Sequence, residues 1–376
     1  MEIQTLNPTT PRQRQRIEAF LKRNGLRFDD MHYYAAVTDD DGEMIAGGGL
    51  KGNVIKCVAV DDAHKGEAIA NTLISHLIAH ANEEGHSNVM LFTKPKNRQL
   101  FESLSFRLLA EAPEAVLMET GIGGINNMVE QLKKIKEEGE VCKENNKECK
   151  EEEKTNLDIT TPQHLNPSAP QPLTTTTPLR GVVVMNCNPF TLGHRYLIEQ
   201  AAKQVERLFV MVVREDCSLF AYAERKAMVE QGVAHLENVT VIDGSEYAIS
   251  QATFPTYFLK RLDDAADTQM LLDLDLFRRH IAPALGTTVR FVGTEPTDQL
   301  TRRYNQLMHE VLADVRETVR LEKEGNAVSA SRVRKAMEQG DMSTIRQLVP
   351  PTTLPYIIAH LATQALQAEL DTTPKP

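Results

Sequence analysis

The pattern of apolar and polar residues predicts a mixed α and β fold near the start of the chain. The segment HYYAAVTDDDGEMIAGGGL predicts two strands around a turn at Asp40–Gly42, and VIKCVAV follows as a third strand. Apolar residues at helical spacing then predict a helix across IANTLISHLIAHANEEG, and NVMLFTK is the next strand. Mixed strands around a helix are typical of an α+β domain.

The second half of the chain alternates apolar strands with amphipathic helices. The run RGVVVMNC has the continuous hydrophobicity of a strand that is covered on both faces. Further strands are predicted at LFVMVV, VTVI, QMLLDL, VRFVG and VRETVRL, with helices at Gly193–Val205 and AERKAMVEQGVAHL. This alternation predicts an α/β domain with a parallel, Rossmann-like sheet, whose ligand lies at the carboxyl ends of the strands.

A polar stretch separates these two patterns. A Lys/Glu-rich run is followed by PQHLNPSAPQPLTTTTP, and neither buries enough apolar surface to offset the entropy of ordering the chain. We therefore predict domains at 1–120 and 180–376, joined by a linker at 121–179. A transient helix at Asn127–Glu138 is left open.

Composition narrows the class of protein. The net charge of −10 argues against nucleic acid as a partner, and no apolar run reaches the roughly 20 residues that span a bilayer. The first residues lack the apolar core of a secretory signal. Five cysteines fit neither a disulfide framework nor a zinc site, so we expect free thiols, no protein-bound metal and a cytoplasmic location.

Candidate chemistry follows the first strand of the second domain, in NPFTLGH. A helix N-terminus near Gly193 offers unpaired amides and partial positive charge to phosphates, and the glycine permits close approach. His194 and Thr191 are predicted to donate hydrogen bonds to phosphate oxygens, and Asn188 belongs to the same binding loop. The simpler interpretation is a helix start with a capping threonine and a structural glycine.

A second candidate lies near the end of the domain, in VSASRVR. Ser329 and Ser331 stand at the start of a helix and Arg334 is one turn inside, so together they could hold phosphates. The alternative is a serine N-cap beside a solvated arginine. Arg225 in FAYAERKAMV and Arg214 after the second strand are further candidate nucleotide contacts.

Longer strings extend this interpretation. GVVVMNCNPFTLGHRYLIEQAA and VSASRVR resemble the two signatures of HxGH nucleotidyltransferases. With TFPTYFLK, LDLDLFRRHIAPALG, RFVGTEP and YNQLM, they are similar to the citrate (pro-3S)-lyase ligases over nearly all of 180–345. The resemblance implies an acid–thiol ligase that uses ATP and Mg²⁺ to form acetyl-AMP from acetate. The acetyl group would then pass to the CoA-like prosthetic group on the acyl carrier subunit of citrate lyase.

The N-terminal segment VIKCVAVDDAHKGEAIANTLISHLIAHA resembles the acyl-CoA-binding core of GNAT acetyltransferases. The resemblance implies that Gly66 and Ala68 hold a pyrophosphate at the start of a helix, and that this domain binds the prosthetic group. Asn97 and Phe101 would lie beside the pantetheine arm. A structural strand–turn–helix without a ligand remains the alternative.

Two other functions stay open at this stage. The same nucleotide site could transfer AMP to a phosphorylated acceptor, as phosphopantetheine and nicotinamide-mononucleotide adenylyltransferases do. A nucleotide-sensing or carrier-protein-binding module without turnover is the alternative outside catalysis.

Overall fold

A computed structural model describes residues 2–64, 67–138, 179–214, 218–245, 247–249, 254–259, 263–296 and 298–372. The chain divides into two compact units. The first unit contains Met1–Val129, Tyr247–Ile281 and Arg303–Leu312, and the second contains Glu130–Glu246, Ala282–Arg302 and Ala313–Pro376. The boundaries predicted at 120 and 180 stay a prediction, and residues 139–178 of the predicted linker lie outside the described residues.

The strands are numbered in chain order. They are β1 Glu2–Leu6, β2 Tyr33–Thr38, β3 Met44–Lys51, β4 Val54–Val60, β5 Asn88–Thr93, β6 Arg107–Glu111, β7 Val116–Gly121, β8 Arg180–Met185, β9 Arg207–Val212, β10 Val239–Asp243, β11 Val289–Gly293, β12 Val315–Thr318, β13 Glu322–Lys323 and β14 Asn326–Ala327.

The helices follow the same numbering. They are α1 Pro11–Arg23, α2 Glu67–Glu83, α3 Arg98–Ser103, α4 at 125–138, α5 Leu192–Ala202, α6 Tyr222–Val233, α7 Asp263–Leu276, α8 Ala282–Leu285, α9 Gln299–Val311, α10 Ala330–Glu338, α11 Met342–Leu348 and α12 Leu354–Thr372. A π-helical turn, Phe277–Ile281, follows α7. None of the helices in the described ranges is both long and apolar enough to cross a bilayer.

The first unit is built on a seven-stranded sheet in the order β1-β2-β3-β4-β5-β7-β6. Its strands pair antiparallel except for β4 and β5, which are parallel. Helix α2 packs on this sheet, and its Leu73, Ile74 and Leu77 are fully buried in the core. The strands and the helix predicted for this segment are confirmed, and so is the α+β class.

The two parallel strands of this sheet separate along their length. β4 and β5 pair at two positions only, where Val54 and Ile55 at the amino end of β4 face Met90 and Leu91 in the middle of β5. A cavity of about 750 Å³ lies where they diverge. Tyr257 and Phe258, which come from much later in the chain but belong to the same unit, line part of its wall.

The second unit contains a five-stranded sheet in the order β10-β9-β8-β11-β12, in which every neighbouring pair is parallel. All six residues of β9 are buried, as expected of a strand covered on both faces. The strand order reverses between β8 and β11, and such a switch point is where open α/β sheets bind ligands. The predicted Rossmann-like parallel sheet is confirmed.

One element was predicted wrongly. The run QMLLDL, expected as a strand, lies inside helix α7. Its short run of apolar residues resembles a buried strand. A short apolar run cannot be assigned from periodicity alone, because a helix that is buried over much of its surface gives the same pattern.

Candidate active site

The loop after β8 leads into α5 through a reciprocal cap. The Thr191 hydroxyl accepts a hydrogen bond from the backbone N–H of His194 at 3.3 Å, and the backbone N–H of Thr191 donates to His194 Nδ1 at 3.1 Å. Because Nδ1 accepts, a neutral imidazole in this position carries its proton on Nε2. The cap therefore leaves His194 with an Nε2–H donor.

The surroundings of His194 favour the neutral ring. Burial in the protein and, next, the positive charge of Arg320 lower the pKa of His194 to about 4. The ring also stacks on Phe190, with 5.9 Å between the ring centroids. At neutral pH the imidazole is thus an uncharged, oriented hydrogen-bond donor.

Gly193 lies where the two sequence motifs touch. A Cβ atom at this position would stand 2.5 Å from the carbonyl oxygen of Val328, which is part of a backbone segment and cannot move aside easily. Val328 immediately precedes Ser329. The glycine is therefore required for the start of α5 to approach the start of the second motif.

The second motif opens α10 and reaches back to the first. The Ser329 hydroxyl caps the helix by accepting from the backbone N–H of Arg332 at 3.3 Å. Arg334 donates through Nη1 to the carbonyl oxygen of Asn188 at 2.5 Å and through Nη2 to the Ser331 hydroxyl at 3.2 Å. Residues 146 positions apart in the chain are thereby joined, and two helix N-termini meet beside β8.

Arg225 occupies the interior rather than the surface of this region. Its side chain is fully buried; Nε donates to the Phe220 carbonyl at 3.1 Å, and Nη1 donates to the carbonyls of Asn186 at 2.7 Å and Val213 at 2.9 Å. The Asn188 amide oxygen accepts from the backbone N–H of Phe220 at 3.1 Å. Arg225 and Asn188 therefore hold the loop after β8 in place.

Arg214, after β9, lies in a more open cluster. Its guanidinium carbon is 5.3 Å from the ring centroid of Tyr222, and its side chain is 41% exposed. The Tyr222 hydroxyl and Lys226 Nζ each donate to Asp243 Oδ1 at 2.6 Å. This charged cluster lies at the carboxyl edge of the sheet, where the two motifs also lie.

Sequence reasoning missed Arg320, which follows β12 at this edge. Its Nε donates to the carbonyl oxygen of Thr294 at 2.7 Å, and its Nη2 forms an ion pair with Glu295. Glu295 is nearly inaccessible at 5% side-chain exposure. The sequence signal for Arg320 is its place as a basic residue just beyond a strand that ends at the ligand-binding edge of a parallel sheet.

In the first unit, the structure describes one of the two residues predicted to contact the pyrophosphate. Gly66 lies outside the described residues, and Ala68 is exposed near the start of α2. Asn97 and Phe101 both line the cavity between β4 and β5, and the Asn97 side-chain amide donates to the Thr93 hydroxyl at 2.9 Å. The two residues named for the pantetheine arm thus share one cavity.

Two described cysteines are buried free thiols. Burial raises the pKa of Cys57 to about 12 and that of Cys187 well above its ordinary value. Neither is therefore available as a thiolate nucleophile at neutral pH. Within the described ranges, no group of three or more His, Cys, Asp or Glu side chains could hold a metal ion.

Comparison with known families agrees with this geometry. Residues 180–357 match the family model of the citrate lyase ligase C-terminal domain, and residues 1–106 match the GNAT acetyltransferase family. The chain is 37% identical over 354 residues to the citrate (pro-3S)-lyase ligase of Klebsiella pneumoniae, covering 92% of each chain. The chain belongs to the citrate (pro-3S)-lyase ligase family. The predicted family and enzyme class, an acid–thiol ligase, are confirmed.

Two further relatives show how far the similarity reaches. The ligase of Escherichia coli K12 is 37% identical over 352 residues, which cover 91% of this chain and 89% of the relative. A phosphopantetheine adenylyltransferase of Streptococcus gordonii is 30% identical over 124 residues, which cover 32% of this chain and 74% of that enzyme. The nucleotidyltransferase character of the ligase family's C-terminal domain is thus visible in this chain.

Proposed function

We propose that this ligase activates citrate lyase in two steps. ATP and acetate first give acetyl-AMP and pyrophosphate. The acetyl group then passes to the thiol of the dephospho-CoA-derived prosthetic group on the acyl carrier subunit of citrate lyase. The observation that carries the proposal is the meeting of the α5 and α10 N-termini, joined by the hydrogen bond from Arg334 to the Asn188 carbonyl. The relatives' name supplies the protein that is activated.

In this proposal each motif residue has a role at the triphosphate. The Nε2–H of His194 donates to an oxygen of the α-phosphate, and Thr191 keeps the ring in that tautomer. The free amides at the start of α5, beside Gly193, bind phosphate oxygens. Ser329, Ser331 and Arg334 at α10 hold the β- and γ-phosphates. Of the remaining proposed nucleotide contacts, Arg214 acts at the rim of the site. Asn188 and Arg225 act by holding the loop after β8.

The first step needs positioning more than acid–base chemistry. A carboxylate oxygen of acetate forms a bond to the α-phosphorus, and the bond from that phosphorus to the oxygen bridging to the β-phosphate breaks. Pyrophosphate leaves with the electron pair. Donors aimed at the phosphoryl oxygens stabilise the charge that moves during this exchange. In the second step the thiolate attacks the acetyl carbonyl and AMP leaves.

We expect Mg²⁺ to enter with the nucleotide. Its ligands would include phosphate oxygens and water, as is usual for Mg²⁺ in nucleotide sites. When bound, the ion neutralises phosphate charge. Orientation of the phosphates then falls to His194, Arg334 and the helix amides.

The N-terminal domain, 1–120, is proposed to bind the arm of the prosthetic group. The cavity of about 750 Å³ is lined by residues between Ile55 and Val60 and between Leu91 and Asn97, and it could accept an extended chain. Beyond the Ile55–Leu91 pair, the described residues of β4 and β5 form no ladder with each other, so backbone groups that face the cavity could bind the arm's amides. Gly66 and Ala68 are proposed to hold its pyrophosphate. In the full-length protein, blocking this cavity should spare acetyl-AMP formation and slow transfer to the carrier; equal slowing of both reactions would refute this role.

The molecule that accepts AMP distinguishes this function from the adenylyltransferase alternative, which the similarity to the S. gordonii enzyme supports. Purified protein is incubated with ATP, Mg²⁺, acetate and hydroxylamine. Acetyl-hydroxamate forms only if acetate is adenylylated. AMP transfer to phosphopantetheine with no hydroxamate would favour the adenylyltransferase, and neither product would favour a binding module without turnover.

The variant His194→Ala tests the histidine within this assay. We expect hydroxamate formation to fall by roughly 100-fold to 1,000-fold, the usual effect of removing one oriented donor to a developing charge. The control is His64→Ala, because His64 is an exposed residue of the other unit. An unchanged rate in His194→Ala would remove the histidine from the mechanism.

A further inference from the structure

Arg320 is fixed by backbone and carboxylate partners at the switch point of the parallel sheet. Its backbone N–H donates to the Thr294 hydroxyl at 3.3 Å, and its Nε donates to the Thr294 carbonyl at 2.7 Å. Nη2 pairs with Glu295. Thr294 and Glu295 directly follow β11, the strand that neighbours β8 on the side where the order reverses. The arginine is therefore anchored beside the proposed ATP site.

The contacts that hold Arg320 involve Nε and Nη2 of its guanidinium and do not involve Nη1. The side chain of Glu295 is 5% exposed, whereas that of Arg320 is 28% exposed. Among the described residues, Arg320 Nη1 has no hydrogen-bond partner. An arginine whose Nε and Nη2 are held by protein acceptors presents its remaining N–H groups in a fixed direction, and planar guanidinium groups suit phosphate oxygens.

The backbone connects Arg320 to both motifs. The backbone N–H of Val328 donates to the carbonyl of Leu321, the residue after Arg320, at 2.8 Å. The carbonyl of Val328 in turn abuts Gly193. Independently, the charge of Arg320 contributes to the lowered pKa of His194, so the guanidinium and the imidazole are electrostatic neighbours.

We propose that Arg320 is a further phosphate-binding cation of the adenylylation site, which contacts triphosphate oxygens beside His194 and stabilises the charge on the departing pyrophosphate. Glu295 is then a positioning residue that holds the guanidinium. The inference deepens the proposed function and rests on it, since ATP is the ligand. It adds a cation that neither of the two motifs contains.

The first test measures binding without turnover in the full-length protein. Calorimetric titrations with ATP and with AMP, both without acetate, are compared for wild type, Arg320→Gln and Arg320→Lys. We expect Arg320→Gln to weaken ATP binding at least tenfold and to change AMP binding less than twofold. Arg320→Lys, which retains a charge beside Glu295, should fold normally and weaken ATP binding to a smaller extent. The control Arg316→Gln removes an arginine of β12 that is paired with Asp314, and it should bind both nucleotides as wild type does.

The second test uses the hydroxamate assay and the titration of His194. Arg320→Gln should lower kcat about 100-fold, and an NMR titration should show a higher pKa for His194 than in wild type. Unchanged ATP affinity in folded Arg320→Gln and Arg320→Lys, or equal weakening of ATP and AMP, would overturn the inference. If hydroxamate forms equally well with Arg320→Gln, this inference fails while the proposed function stands. If wild type forms no hydroxamate but its ATP affinity depends on Arg320, the proposed reaction fails and the phosphate contact stands.

Discussion

The two candidate sites of this ligase are built in different ways. The proposed ATP site uses two helix N-termini, at α5 and α10, whose caps and close backbone packing are fixed by a few residue types. The proposed arm site is a gap between β4 and β5, lined by apolar residues of the two strands together with polar ones such as Lys94 and Asn97. A helix-end site therefore leaves a short signature in the sequence, whereas a gap between strands leaves almost none.

The difference also predicts how each site fails. At the nucleotide site, single atoms decide whether backbone segments can meet, so a substitution should have a large effect. In the cavity, many side chains share the contact with an extended ligand, so each substitution should cost less. Four experiments, described from the largest expected effect to the smallest, test this difference between the two sites.

The largest effect is expected for Arg225→Met, which removes the buried guanidinium that binds three backbone carbonyls. Those carbonyls would be left without this partner in the interior, so we expect the free energy of unfolding to fall by about 3–5 kcal/mol in urea denaturation. The control Arg195→Met breaks a partly exposed pair with Glu199 and should cost less than about 1 kcal/mol. Equal losses in the two variants would contradict a special role for the buried arginine.

Gly193→Ala should mainly affect catalysis. The new Cβ would clash with the Val328 carbonyl at 2.5 Å and push the starts of α5 and α10 apart. We expect the hydroxamate rate to fall about 100-fold, as small misplacements of reacting groups commonly do. Gly293→Ala is the control, since its Cβ would have no neighbour closer than 3.9 Å. A near-normal rate in Gly193→Ala would mean that the two motifs need not touch.

Asn97→Trp should block the cavity with a smaller and more selective effect. The indole would intrude on the gap beside Thr93, so transfer of the acetyl group to the carrier should slow about tenfold through weaker, shared contacts. Hydroxamate formation should not change. Asn82→Trp, on the exposed face of α2, controls for the added bulk. If both reactions slow together in Asn97→Trp, the cavity is not a separate arm site.

The smallest effect concerns the pH dependence of stability. In the folded protein the pKa of His194 is about 4, and in the unfolded chain it is near 6.5. Between these values the unfolded chain binds more protons, so stability rises with pH across this window and falls as the pH drops from 6.5 towards 4. His194→Gln should therefore lose less Tm between pH 7 and pH 5 than wild type. An identical loss of Tm in His194→Gln and wild type would contradict a buried neutral imidazole; exposed His64→Gln is the control.

The sequence predicted contacts of the candidate site when the two hydrogen-bond partners lie close together in the chain, and it missed those between distant residues. The caps at Thr191 and Ser329 lie three residues from their partners, and both were foreseen as alternatives to phosphate binding. Two hydrogen bonds join distant parts of the chain: Arg334 donates to Asn188, and Arg320 donates to Thr294. A local sequence pattern cannot predict such contacts. The same limitation hid the burial of Arg225.

The fold shows the same dependence. The strands β2 and β3, which flank a turn rich in aspartate and glycine, were predicted from their own residues, whereas QMLLDL needed its surroundings to be recognised as helix. The wall of the cavity could not be foreseen either, because Tyr257 and Phe258 reach it from about 200 positions after Ile55.

The proposed reaction requires that one triphosphate bind between the starts of α5 and α10. The most direct measurement is a crystal structure of the full-length chain with a non-hydrolysable ATP analogue. We expect phosphate oxygens at hydrogen-bond distance, about 2.7–3.2 Å, from His194 Nε2 and from the first amides of α10. Ordered nucleotide that contacts neither His194 nor the Ser329–Arg334 segment would rule out this binding mode.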